Sequence, residues 1–113
     1  MFSFVLLFAY LYMIVYNVTM KIDNGIHDEW MQWIKDEHIP QTMTSQLFTG
    51  YKFFRLLDQD ETDGITYVLQ YFFKNYDDYK KYVNEFHRQL QQNAFSNWGN
   101  RFIAFHTVMK DVY

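Results

Sequence analysis

The order in which hydrophobic periods follow one another constrains this chain most. A period of two, the mark of a strand, gives way to a period near 3.6, the mark of a helix, and the switch occurs twice. Ile14-Val15-Tyr16-Asn17-Val18-Thr19-Met20 is rich in β-branched and aromatic residues, as strands are. Asp23-Asn24-Gly25 reads as a turn and helix cap. From Ile26 to His38, residues Ile26, Trp30, Trp33 and Ile34 share one helical face, and Pro40 is expected to end this helix near Ile39. Tyr51 to Leu57 and Ile65 to Phe73 read as the strands of a hairpin, joined by a polar turn from Asp58 to Gly64. Asn75 is placed to cap a second helix with the apolar stripe Tyr79, Tyr82, Val83, Phe86 and Leu90, ending between Ala94 and Gly99. Arg101 to Met109 is the last strand. The order β-α-β-β-α-β predicts an α+β, ferredoxin-like fold: a four-stranded antiparallel sheet with two helices on one face.

The first twenty residues carry no charged side chain; Lys21 is the first. As a helix they would span about 30 Å, the depth of a bilayer core. Ser3, Tyr10, Tyr12, Tyr16, Asn17 and Thr19 interrupt the run, and it has neither a basic n-region nor a small-residue cleavage site. A span reaching Met20 would also consume the first strand. The expectation is a single domain over 13–113, with residues 1–12 an apolar extension that is either a start-site artefact or a short anchor. Membrane association through residues 1–20 is the alternative.

Of the 113 residues, 50% are apolar and 22% aromatic, enough to fill the core of one domain. The net charge is −3, and no basic run exceeds Lys80-Lys81, which argues against nucleic acid and acidic lipid as partners. The chain has no cysteine, so disulfides, thiolate metal sites and Cys nucleophiles are excluded. A chain that needs no disulfide suits the cytoplasm.

Parity divides the strand residues between two faces. One set is Ile14, Tyr16, Val18 and Met20, grouped with Phe54 and Leu56, with Ile65, Tyr67, Leu69 and Tyr71, and with Ile103, Phe105 and Met109. The other is Val15, Asn17 and Thr19, grouped with Tyr51, Phe53, Arg55 and Leu57, with Val68, Gln70 and Phe72, and with Phe102, Ala104, His106 and Val108. Both sets are apolar, and two helices cover only one face. A bare face carrying Phe53, Phe72 and Phe102 predicts a homodimer packed sheet against sheet.

Asn17, Arg55, Gln70 and His106 fall one to a strand within an apolar face, which makes them candidates for a small polar site in an apolar pocket. A hydrogen-bonded network that sets strand register or dimer packing is the plainer account of them. Trp30, Trp33 and His38 lie near the inner side of the first helix and could line a pocket against the sheet, with His38 as a base or haem ligand. Core packing and carbonyl capping are the plainer account of these three. His27 and His87 read as solvated helix positions. The acidic turn resembles a calcium loop with its Gly one place late and Leu69 where the bidentate Glu belongs, so no metal site is expected.

From Met13 onward, the stretches MIVYNVTMKID, HDEWMQWIKDEHIPQTM, LFTGYKFFRLL, GITYVLQYF and FSNWGNRFIAFHTVM resemble the domain of unknown function four-two-eight-six, an uncharacterised family of small bacterial proteins. The resemblance runs through nearly all of 13–113. It implies no catalytic residues, because the family has none assigned. Its pattern is similar to the dimeric α/β-barrel superfamily, which includes cofactor-free monooxygenases, haem-degrading enzymes and ligand binders. The expected function is a small homodimeric binding or interaction domain that needs no cofactor. The alternative is a cofactor-independent monooxygenase-like enzyme acting on an aromatic small molecule near His38, Trp33 and Asn17, or haem binding at His38. A cavity on the order of several hundred Å³ under the first helix, reached by His38 or Asn17, would favour ligand chemistry.

Overall fold

A computed structural model describes residues 13–112; the extension over residues 1–12, with the roles suggested for it, lies outside the described residues. Four strands form one antiparallel sheet: β1 (Ile14–Asp23), β2 (Gly50–Arg55), β3 (Gly64–Phe73) and β4 (Phe102–Lys110), in the spatial order β2-β3-β1-β4. Two helical runs, α1 (residues 27–43) and α2 (residues 76–98), cross one face, which gives the ferredoxin-like arrangement. Ile14 to Asp23 is strand, so no helical span runs through Met20. Among the described residues no helix is long and apolar enough to cross a membrane.

α1 is preceded by a 3-10 turn over Asn24–Ile26, where the Asp23 carboxylate accepts a 2.7 Å hydrogen bond from the Gly25 N–H. The helix does not end at Ile39. It runs as an α segment (His27–Trp33), a π turn (Ile34–His38) and a second α segment (Ile39–Met43). The widened turn moves the backbone bonding from i→i−4 to i→i−5, the Ile39 N–H donating to the Ile34 carbonyl. Pro40 then falls in the first turn of a fresh α segment, where its missing N–H is tolerated. α2 has the same construction: Tyr76–Tyr82, a π turn over Val83–His87, then Arg88–Trp98. The Asn75 side chain caps it as expected, accepting from the Asp78 N–H at 2.8 Å, and Gly99 closes it at φ +59°.

The register overturns the parity grouping for two strands. Tyr16 lies opposite Tyr71, and Val18 opposite Leu69, as expected for β1 and β3. Phe53 lies opposite Leu69, however, and Ala104 opposite Met20. Residues directly opposite share a face. Tyr51, Phe53 and Arg55 of β2, and Phe102, Ala104, His106 and Val108 of β4, therefore sit on the helix side. The open side carries Val15, Asn17 and Thr19 of β1, Phe54 of β2, Val68, Gln70 and Phe72 of β3, and Ile103, Phe105 and Met109 of β4. Of the three rings expected on the bare face, only Phe72 is there. Alternation alone could not decide, because β2 and β4 are apolar at both parities.

The core lies between sheet and helices and is dominated by rings. Trp30, Tyr71 and Phe73 are fully enclosed, with Ile22, Ile34 and Leu69 beside them. Phe48, from the connection after α1, packs 4.5 to 4.9 Å from the rings of Phe73, Tyr71 and Tyr82. At the start of β3 the two chains approach so closely that a Cβ on Gly64 would stand 2.4 Å from the Ile22 carbonyl oxygen, whereas a Cβ on Gly50 meets nothing within 4 Å. Gly64→Ala should therefore lower unfolding stability by about 1–3 kcal/mol, and Gly50→Ala should leave it within about 0.5 kcal/mol, both read from urea midpoints at constant m-value.

Candidate functional site

Between the sheet and the two helices lies a cavity of about 350 Å³. β1 and β3 supply its floor through Tyr16, Val18, Met20, Leu69 and Tyr71. α1 contributes Trp30, Trp33, Ile34 and His38, α2 contributes Tyr82, His87, Leu90 and Ala94, and β4 closes one side with Phe102, Ala104 and His106. The lining residues Gln91, Phe95 and His106 are exposed, which places the open side along the edge strand β4. Among the described residues, no Asp, Glu, Lys or Arg lines the cavity.

Of the seven candidate residues, Trp30, Trp33, His38 and His106 meet in this cavity; Asn17, Arg55 and Gln70 do not. Asn17 and Gln70 lie on the opposite side of the sheet, where the Gln70 Nε2–H donates to Asn17 Oδ1 at 3.2 Å. This pair fits a register-setting network. Arg55 is at the far edge and makes a two-pronged ion pair with Glu61 of the hairpin loop, at 2.6 and 3.2 Å. The four residues that fall one to a strand are thus three separate features.

Two residues of the cavity were not expected there. Tyr16, 5% exposed, places its hydroxyl 2.6 Å from His106 Nδ1 and 3.3 Å from His87 Nδ1. The two imidazole rings meet edge to face at 5.5 Å. His87, expected in solvent, is half-buried instead, because the π turn brings it onto the inner side of α2. Burial, with the neighbouring Tyr82, Tyr79 and Tyr71 hydroxyls, raises the Tyr16 phenol far above its ordinary value, so it stays protonated. Burial lowers the His87 imidazole; burial and then the facing His87 lower that of His106. His27, also expected in solvent, instead pairs through Nε2 with the Tyr67 hydroxyl at 2.6 Å, outside the cavity.

Both cavity histidines of the helices end a π turn, and both pack on the aromatic ring five residues before them. Trp33 and His38 have centroids 4.8 Å apart, and Tyr82 and His87 5.9 Å. Five residues is the hydrogen-bond span of a π turn, where an α-helix spans four. The signal is present in the sequence as Trp33-Ile34-Lys35-Asp36-Glu37-His38 and Tyr82-Val83-Asn84-Glu85-Phe86-His87. A search at 3.6-residue spacing passes over it.

Three buried polar atoms of the lining residues have no hydrogen-bond partner among the described residues: Trp30 Nε1, His38 Nδ1 and the Tyr71 hydroxyl. Such atoms are costly unless something satisfies them. Burial pushes the His38 imidazole down from 6.5 to about 4, so it is neutral near pH 7.

The architecture defines a ferredoxin-like protein, and solved structures of the same fold agree. A dimeric ferredoxin-like protein from an uncultured marine organism superposes with a TM-score of 0.70 at 10% identity, covering 89% of this chain and 96% of that one. A NIPSNAP family protein from Agrobacterium tumefaciens gives 0.66 at 13% identity, over 88% and 85% of the two chains. SnoaB, a cofactor-independent oxygenase from Streptomyces nogalater, gives 0.59 at 12% identity, over 86% and 91%. No curated protein matches the sequence. The chain belongs to the family Domain of unknown function (DUF4286), whose pattern matches residues 13–112.

The His38 shift carries a stability consequence. Between pH 6.5 and about 4 the unfolded chain binds the proton and the folded chain resists it. Stability from burying this neutral ring is complete above pH 6.5 and falls as pH drops toward 4, by about 3 kcal/mol in total. His38→Gln should flatten the denaturation midpoint against pH in that window while leaving its slope above pH 7 unchanged.

Proposed function

We propose that this chain is a homodimeric binding protein for a small, uncharged aromatic molecule held between sheet and helices. One observation carries this reading: a cavity of about 350 Å³, walled by rings, in which Trp30 Nε1 and His38 Nδ1 are buried without partners. An apolar cavity with a few convergent polar groups is the usual form of a small-molecule site. The lack of a charged side chain in the lining disfavours carboxylates, phosphates and ammonium ions, whose desolvation nothing there would offset. Haem fits the residues poorly for the same reason, since no Arg or Lys of the lining meets its propionates.

The second copy is expected on the open side of the sheet. Phe105 is 68% exposed there, Ile103 57% and Phe54 46%, with Met109 alongside, a row too apolar for a lasting contact with water. The likeness to a dimeric ferredoxin-like protein supports self-association. Cofactor-independent oxygen chemistry on the bound aromatic is a second reading, supported by the Tyr16–His87–His106 cluster on the cavity wall and by the likeness to SnoaB.

Titration with 4-nitroanisole, an uncharged aromatic, should quench the fluorescence of the cavity tryptophans and saturate. Ala94→Phe, which fills the cavity from α2, should weaken this binding by about tenfold or more without loss of the folded circular dichroism. Saturable binding unaffected by Ala94→Phe would place the ligand elsewhere.

Sedimentation at micromolar concentration should give twice the 14.0 kDa chain mass, and Phe105→Asp should give the single-chain mass.

A further inference from the structure

The hydrogen bonds around Tyr16 determine more than its position. Two imidazole Nδ1 atoms face one hydroxyl, which has one proton to give. The contact to His106 is short, 2.6 Å, as an O–H donation is; the contact to His87 is long, 3.3 Å, as a weak N–H donation to oxygen is. These lengths suit an arrangement in which Tyr16 donates to His106 Nδ1 and the His87 Nδ1–H donates to Tyr16, the tautomers being assigned from the distances. The tautomers follow. His106 keeps its proton on Nε2, and His87 carries a bare lone pair on Nε2.

The positions of the three groups are as ordered as their protons. His87 lines the cavity and is half-buried; Tyr16 is buried; His106 lines the cavity mouth on the exposed edge strand. The chain of bonds therefore starts at a bare acceptor on the cavity wall and ends at an N–H on an exposed residue. Nothing in the lining supplies a fixed charge to hold an ion at either end.

We propose that His87, Tyr16 and His106 form a proton wire leading out of the cavity, and that the ligand is an uncharged aromatic with a weakly acidic hydroxyl directed at His87 Nε2. This rests on the cavity being a ligand site. The transfer balances without charging the wire. The ligand O–H gives its proton to His87 Nε2, His87 Nδ1–H passes one to the Tyr16 oxygen, Tyr16 gives its own to His106 Nδ1, and His106 Nε2–H releases one to water. The products are an oxyanion, held by the new His87 Nε2–H alone, and a hydronium ion outside; with no charge in the lining to offset its desolvation the oxyanion is short-lived, and the neutral ligand is the resting form. Both histidines end in the opposite tautomer. Burial disfavours an imidazolium on either ring, so passing the proton onward is favoured over keeping it.

The wire is read directly by nitrogen-15 NMR of the histidine rings in the full chain without ligand. The expected result is opposite tautomers, with the proton on Nδ1 of His87 and on Nε2 of His106. Tyr16→Phe should return His87 to the Nε2–H form usual in water. The same tautomer at both rings of the unaltered protein would overturn the wire. The ligand class is read by comparing 4-nitrophenol, kept below its ionisation, with its methyl ether 4-nitroanisole. The phenol should bind about tenfold tighter, the worth of one hydrogen bond. In Tyr16→Phe, where His87 Nε2 carries a proton and no longer accepts, that ratio should fall to within about threefold, whatever the substitution in the cavity floor does to the affinity for either probe alone. Equal binding of the two probes to the unaltered protein would overturn the proposal and leave the cavity reading intact; binding of neither would overturn both.

Discussion

The structure depends on β1 lying between β3 and β4 with one uninterrupted apolar row turned to the helices. Ile14, Tyr16, Val18, Met20 and Ile22 are all buried, and each faces a partner of the same kind in β3: Phe73, Tyr71, Leu69, Tyr67 and Ile65. Side chains alternate strictly along a strand, so this row decides which residues of both neighbours look inward. It also places the polar cluster. His106 lies opposite Val18, one diagonal step from Tyr16, within reach of the phenol across the sheet surface. A slip of one residue between β1 and β4 would turn His106 to the open face and dismantle the cluster.

The helices answer this floor with the same irregularity used twice. A regular α-helix sets residues i and i+4 on one side; each π turn here sets i and i+5 there. The result is a histidine stacked on an aromatic ring, Trp33 with His38 and Tyr82 with His87, at the point where each helix crosses the cavity. π turns are less favourable than α turns and recur at functional sites for that reason. In α1 the widened turn has a second effect, since it lets the helix continue through Pro40 and carry Thr42 into the core.

Much of the fold was legible in the sequence because the local signals agreed with one another. The period switches marked strands and helices in the right order, and the Asn75 cap and Gly99 stop needed only local chemistry. Three things were not legible, for distinct reasons. The faces of β2 and β4 were misassigned because Phe53 and Phe54, or Phe102 and Ile103, are equally suited to burial, and register is a property of the pairing rather than of either strand. Pro40 was taken as a terminator because the π turn that accommodates it has no marker at α-helical spacing. His87 was set in solvent by the same assumption. Trp30, Trp33, His38 and His106 lie in the cavity, whereas Asn17, Gln70 and Arg55, which strand parity groups with His106, lie away from it.

The separation of Asn17 and Gln70 from the imidazoles shapes the chemistry on each side of the sheet. The Gln70 carboxamide donates to Asn17, and Asn17 donates to Thr19, so each side chain of the pair has a protein partner on this face. A phenol between two imidazoles cannot be satisfied in the same symmetrical way, because one proton must choose a direction. The open face therefore carries polar groups that are already paired and suits a static interface. The helix face carries buried polar atoms without partners, Trp30 Nε1, His38 Nδ1 and the Tyr71 hydroxyl, in a cavity that no charged side chain of the described residues lines. Those unpartnered buried atoms give a small molecule groups to bond on that side.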